Sequence, residues 1–111
     1  MIDLHGKHAV VTGGGSGIGK GISEVLARAG ASVFVADIEL ASAELTIQTL
    51  AGDGEFLCDI VDVTETSSVN RMIESAIKAF GKIALFIPFT RKPSLHGNGK
   101  KKLWYIQTKW E

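Results

Sequence analysis

Five glycines that follow a short apolar run near the N-terminus are the residues with the clearest chemical potential. Residues 8–11 are typical of a buried strand, and an amphipathic segment begins at Ile18. Glycine permits a sharp turn at Gly13, close approach of a pyrophosphate at Gly17 and close packing of the following helix at Gly19. The N-terminus of that helix would offer N–H groups and a partial positive charge to the phosphates. The stretch therefore predicts a phosphate-binding turn between a strand and a helix.

An acidic side chain ends the next apolar run. Asp37 follows residues 32–36 and lies twenty residues after Gly17. A carboxylate at the tip of the second strand of such a unit can accept a hydrogen bond from a ribose 2′-hydroxyl. Glycines, helix, strand and acid in this order indicate a dinucleotide site.

Three sequence features resemble one known family. The pattern T-G-x-x-x-G-I-G at residues 12–19 resembles the cofactor signature of the short-chain dehydrogenases/reductases. Asp62 and Val63 resemble the family's adenine-contacting pair after the third strand, and F-G-K-I at residues 80–83 is similar to its approach to strand four. The resemblance covers about residues 1–83. It implies a part of an oxidoreductase that transfers hydride between a nicotinamide cofactor and an alcohol or ketone.

The resemblance also implies which residues contact the cofactor. The Asp62 carboxylate would accept a hydrogen bond from the adenine amine, and the Val63 N–H would serve a ring nitrogen. Ser16 and Ile38 are neutral at positions where NADP-preferring relatives often carry a basic residue. The Asp37 carboxylate would repel a 2′-phosphate. NAD is therefore expected in preference to NADP. The expected cofactor-binding residues are Gly13, Ser16, Gly17, Ile18, Gly19, Asp37, Ile38, Asp62 and Val63.

Hydrophobic periodicity predicts the elements that would position this site. Helical spacing predicts helices over residues 17–30, 39–50 and 66–80, the last one capped by Thr64. The apolar residues expected in the core include Ile18, Ile22, Val25, Leu26 and Ala29 of the first helix, Leu40, Ala43, Ile47 and Leu50 of the second, and Val69, Met72, Ile73, Ala76, Ile77 and Phe80 of the third.

These elements alternate as β-α-β-α-β-α and predict an α/β fold. Right-handed crossovers give a parallel sheet with strand order 3-2-1, which is part of a doubly wound, Rossmann-like fold. A fourth strand is predicted at residues 83–87, where Pro88 limits its length. We expect a dinucleotide-binding half domain over residues 1–83 and a divergent tail over residues 84–111.

Charge divides the chain at the same place. Residues 1–83 carry six Lys/Arg and eleven Asp/Glu, whereas residues 84–111 carry six Lys/Arg and one acid. Both tryptophans and the single tyrosine also lie in the tail. Basic and aromatic residues together can bind single-stranded nucleic acid, so a binding module that uses this tail is one alternative. The favoured interpretation is a terminal segment with no specific binding function.

The catalytic residues that the family resemblance implies are largely missing. The family's Asn-Asn-Ala-Gly motif after strand four is absent, since residues 88–91 read P-F-T-R. Tyr105 and Lys109 have the family's Tyr-x-x-x-Lys spacing, but too few residues precede them for the intervening helix and strand. We therefore expect a truncated, catalytically incompetent fragment, with an active small reductase that uses Tyr105 and Lys109 as an alternative.

The cysteine, the histidines and the lengths of the apolar runs limit which bonds, metal sites and cellular location are expected. Cys58 is the only cysteine, so an internal disulfide is excluded and a buried, inert thiol is expected. The three histidines lack a carboxylate or cysteine cluster, so no metal site is expected. No apolar run is long enough to span a membrane, and a cytoplasmic location is expected. A half fold would leave a sheet edge exposed, which favours self-association.

Overall fold

The computed structural model describes residues 2–15 and 17–88. Strands and helices alternate along this part of the chain, as the periodicity predicts. In chain order the elements are β1 (His8–Thr12), α1 (Gly17–Arg28), β2 (Ser32–Asp37), α2 (Leu40–Thr49), β3 (Phe56–Ile60), α3 (Thr66–Phe80) and β4 (Leu85–Pro88).

The four strands form one parallel sheet in the order β3-β2-β1-β4. The predicted order 3-2-1 is confirmed, and the predicted fourth strand pairs with the free side of β1. This strand spans Leu85–Pro88 rather than residues 83–87, although the Ala84 N–H already donates to the His8 carbonyl at 2.8 Å. Pro88 pairs with Thr12 as the last residue of β4.

Apolar residues of the central strands are buried because helices cover both faces of the sheet. On one face, Val10 and Phe34 pack with Met72 and Ala76 of α3. On the other, Val11 and Val35 pack in a second cluster with residues of α1 and α2. The neighbouring strands β1 and β2 are therefore enclosed by helices on both faces.

The first helix approaches the sheet through small residues. Gly19, Ser23 and Ala27 recur every four residues and are all buried. Because this stripe faces the sheet, Ile18 and Val25 lie to its side and are 63% and 61% exposed.

Four residues that the sequence assigned to the core are exposed, which corrects that prediction. Helical spacing identifies an apolar face but does not say which part of it the neighbouring element covers. In the part of the chain that the structure describes, the exposed members are Ile18, Val25, Leu40 and Ile77.

The single cysteine lies in β3. Its side chain is half-buried and packs at the margin of the cluster beneath α1 and α2. Burial raises the pKa of the Cys58 thiol, with smaller contributions from Glu44 and Asp59. The thiol is thus less reactive than a solvated one at neutral pH. None of the described helices combines the length and the apolar character required to cross a bilayer.

Candidate cofactor site

The carboxyl ends of β1, β2 and β3 bring the predicted site residues to one edge of the sheet. The glycine turn, residues 13–19, leaves β1 next to the end of β2, and the Gly14 N–H donates to the Ala36 carbonyl at 3.2 Å. At the end of β3, the Val61 N–H donates to the Asp37 carbonyl at 2.9 Å. Ligands of open α/β sheets bind at this edge, where the topology switches direction.

Two glycines of the turn adopt backbone conformations that other residues rarely accept. Gly13 has φ of 68° and Gly17 has φ of 59°. A Cβ on Gly17 would meet no atom within 4 Å, so its need for glycine is conformational in this structure. Ser16, another predicted contact, falls outside the described residues.

Gly19 is required for a different reason. A Cβ there would overlap the Gly13 carbonyl oxygen and lie 2.9 Å from the Gly14 Cα. The helix therefore packs directly on the backbone of its own glycine turn. Gly19 was predicted to bring α1 close to the sheet, and the atoms nearest to its added Cβ belong to the turn.

Asp37 lies at the end of β2, against the glycine turn. Its Oδ2 accepts a hydrogen bond from the Gly15 N–H at 2.9 Å, and its Oδ1 accepts one from the Glu39 N–H at 3.0 Å. The residue is only 1% exposed. Two backbone donors thus hold the carboxylate in one orientation at the predicted ribose position.

Asp62 follows β3 at the same edge and forms a short Asx turn. Its Oδ1 accepts hydrogen bonds from the Thr64 N–H at 3.0 Å and from the Thr64 hydroxyl at 2.6 Å. These bonds lower the pKa of Asp62, the side-chain bond contributing most. The prediction that Thr64 caps α3 is wrong, because Glu65 precedes the helix and the Thr64 hydroxyl is directed to Asp62.

Ser68 also fixes this loop, although it was not among the predicted site residues. The Asp62 N–H donates to its hydroxyl at 2.9 Å. A serine near the start of a helix, six residues after an acid, was the only available signal. The predicted neighbours Ile38 and Val63 are 54% and 36% exposed, so their apolar surface is accessible at this edge.

Gly14 and Gly15 were also missed as packing residues. A Cβ on Gly14 would lie 2.8 Å from Val35 Cγ1, and one on Gly15 would lie 2.6 Å from Ser42 Cβ. The run of three consecutive glycines was the signal, because the cofactor signature requires only the first of them. Among the described residues, no group of three metal-ligating side chains is assembled.

Comparison with known proteins agrees with this arrangement. The family model for short chain dehydrogenases matches residues 7–88. A 2,5-dichloro-2,5-cyclohexadiene-1,4-diol dehydrogenase of Sphingobium indicum is 40% identical over 82 residues, which are 73% of this chain and 32% of that protein. The chain thus spans about one third of the length of the curated relatives that it matches.

Two solved structures have the same architecture. A hydroxysteroid dehydrogenase from Escherichia coli superimposes with a TM-score of 0.72 and 37% identity, covering 78% of this chain and 36% of that one. A short chain dehydrogenase/reductase from Burkholderia phymatum in complex with NAD gives a TM-score of 0.71 and 34% identity, covering 78% and 31%. Sequence, topology and the glycine turn agree, and the chain belongs to the short-chain dehydrogenase/reductase family, of which it contains the N-terminal part of the NAD(P)-binding fold.

Proposed function

We propose that this chain binds NAD in preference to NADP. The observation that carries the proposal is the position of Asp37, whose carboxylate lies against the glycine turn at the end of β2. A ribose 2′-hydroxyl can donate to this carboxylate, whereas a 2′-phosphate would be repelled by it. The neutral Ile38 beside it offers no positive charge to a phosphate.

The other predicted residues have complementary parts in this proposal. Gly13, Gly17 and the N-terminal turn of α1, which includes Ile18 and Gly19, would receive the pyrophosphate. Asp62 and Val63 would contact the adenine, with the exposed side chain of Ile38 beside it. Ser16 is retained as a proposed contact of the turn. The NAD complex of the Burkholderia phymatum relative supports the choice of ligand.

Calorimetric titration with NAD, NADP and ADP-ribose tests this assignment. We expect NADP to bind at least about tenfold more weakly than NAD, which corresponds to about 1.4 kcal/mol. ADP-ribose should bind within a few-fold of NAD, because every proposed contact lies on the adenosine and pyrophosphate side. Equal affinity for NAD and NADP would refute the role of Asp37. A large preference for intact NAD would reveal a nicotinamide pocket.

We further propose that the 111-residue chain acts as a nucleotide-binding fragment and does not itself transfer hydride. In the family, a tyrosine activated by a neighbouring lysine exchanges the proton with the substrate oxygen. The only tyrosine of the sequence is Tyr105, and both it and Lys109 lie outside the described residues. The division into residues 1–83 and 84–111 stays a prediction for the same reason.

An assay of NADH oxidation with a panel of ketones addresses the catalytic alternative. We expect no turnover above the protein-free rate. Turnover that is lost in Tyr105→Phe would instead support the small reductase. Salt-dependent binding of an oligonucleotide would support the basic tail as a binding module.

We also propose that the chain self-associates. Within residues 2–15 and 17–88, β4 pairs with β1 and no strand pairs with its other side. An edge strand of this kind recruits other strands. Light scattering is expected to detect oligomers, and a monodisperse monomer would contradict the proposal.

A further inference from the structure

The carboxylate proposed to receive the ribose is already occupied by the protein's own backbone. The Gly15 N–H donates to Asp37 Oδ2 at 2.9 Å, and the Glu39 N–H donates to Oδ1 at 3.0 Å. Asp37 is only 1% exposed, so its carboxylate is covered in this conformation. The turn that should cradle the phosphates therefore also covers the ribose acceptor.

Only glycine at position 15 permits this closed arrangement. An added Cβ would lie 2.7 Å from Asp37 Oδ2 and 2.6 Å from Ser42 Cβ. Ser42 belongs to α2 and Asp37 is buried, so neither can move away without disturbing the packing. The residue is thus enclosed between the carboxylate and the helix.

We propose that Gly15 is a positioning residue that controls nucleotide affinity through Asp37. Because its N–H bonds to Oδ2 and the carboxylate is covered, the turn must move away from Asp37 before a ribose hydroxyl can engage the carboxylate. The inference rests on the proposed nucleotide function. A ribose hydroxyl replaces one donor by another at Oδ2, and the exchange leaves the carboxylate satisfied.

We call the turn closed when the Gly15 N–H bonds to Asp37 and open when it has moved away. The closed turn lowers the apparent affinity of every ligand that requires the open turn. The reduction equals the fraction of molecules in which the turn is open. This fraction is a property of the free protein, so NAD, NADP and ADP-ribose are all affected by the same factor. The preference for NAD over NADP is determined by the Asp37 carboxylate and does not depend on this fraction.

The variant Gly15→Ala tests this, because its Cβ excludes the closed turn. Loss of this hydrogen bond to a charged acceptor from the competing state should tighten ADP-ribose binding by about 10- to 100-fold. The ratio of the NAD and NADP dissociation constants should not change. Gly21→Ala is the matched control, since a Cβ on Gly21 of α1 meets no atom within 4 Å.

A measurement on the unaltered protein keeps the inference testable if Gly15→Ala folds poorly. In NMR spectra of the full chain, the Gly15 amide proton should move upfield on saturation with ADP-ribose, because it loses its carboxylate acceptor. The Glu39 amide proton should move much less.

Three results would overturn the inference. Unchanged or weaker binding by a folded Gly15→Ala would mean that the Gly15 bond does not compete with the nucleotide. A Gly15 amide proton that keeps its position in the complex would mean that the turn stays closed. Absence of binding by both proteins to any nucleotide would overturn the proposed function together with this inference, and is distinguishable from the first two results.

Discussion

Replacement of Asp37 by alanine is expected to destabilise the protein even when no nucleotide is present. The carboxylate accepts the N–H groups of Gly15 and Glu39 at 2.9 and 3.0 Å, and the residue is 1% exposed. Hydrogen bonds to charged groups contribute about 1.5–3 kcal/mol each, and part of this is offset because a buried charge is also removed. We therefore expect Asp37→Ala to lower the free energy of unfolding by about 2–4 kcal/mol.

Urea denaturation without ligand measures this effect. With a slope typical of small proteins, about 1–3 kcal/mol per molar urea, such a loss shifts the midpoint by about 0.7 M or more. Asp53→Ala is the matched control, because the Asp53 side chain is 87% exposed and its contact with His5 Nε2 is long, at 3.4 Å. An unchanged midpoint in Asp37→Ala would refute the reasoning, since two buried donors would then have lost their acceptor without consequence.

The other predictions concern single contacts. Thr46→Val should raise the free energy of unfolding by about 1–2 kcal/mol in urea titrations, because the Thr46 hydroxyl is buried and has no hydrogen-bond partner among residues 2–15 and 17–88, and a destabilised variant would contradict this. Gly19→Ala should abolish ADP-ribose binding in calorimetry, because its Cβ overlaps the Gly13 carbonyl, and retained affinity would show that the turn yields easily. The His5 ring hydrogen-bonds to the Asp3 carboxylate and, with a smaller effect, to that of Asp53, and these bonds raise the pKa of His5. The stabilising contribution of His5 is therefore present below the ordinary histidine pKa and is lost as the pH rises through the raised value. The melting temperature of His5→Gln should therefore depend less on pH above the ordinary histidine pKa than that of the unaltered protein, and an unchanged profile would exclude this source.

Much of the fold follows from local patterns in the sequence. Alternation of apolar runs with 3.6-residue periodicity was enough to predict the order of strands and helices up to β4. Chirality then required the strand order, because parallel crossovers are right-handed. The need for glycine at two positions of the turn is also local, because the backbone there adopts φ of 68° at Gly13 and 59° at Gly17, which other residues rarely accept.

Which apolar residues are buried depended on tertiary packing. Ile18 and Val25 have the helical spacing of core residues, yet α1 meets the sheet through Gly19, Ser23 and Ala27. Small residues allow closer approach of a helix than large ones, and this advantage is visible only when the partner surface is in place.

The hydrogen-bond partners of the site residues likewise could not be predicted from the order of residues in the sequence. Thr64 has the residue type of a helix cap, but Asp62 lies within reach and accepts a hydrogen bond from the Thr64 hydroxyl. The sequence alone located Asp37 at the end of β2, and its ribose contact stays a prediction. That Gly15, twenty-two positions earlier, covers its carboxylate follows from the adjacency of β1 and β2, because only the folded sheet brings the turn and the acid together.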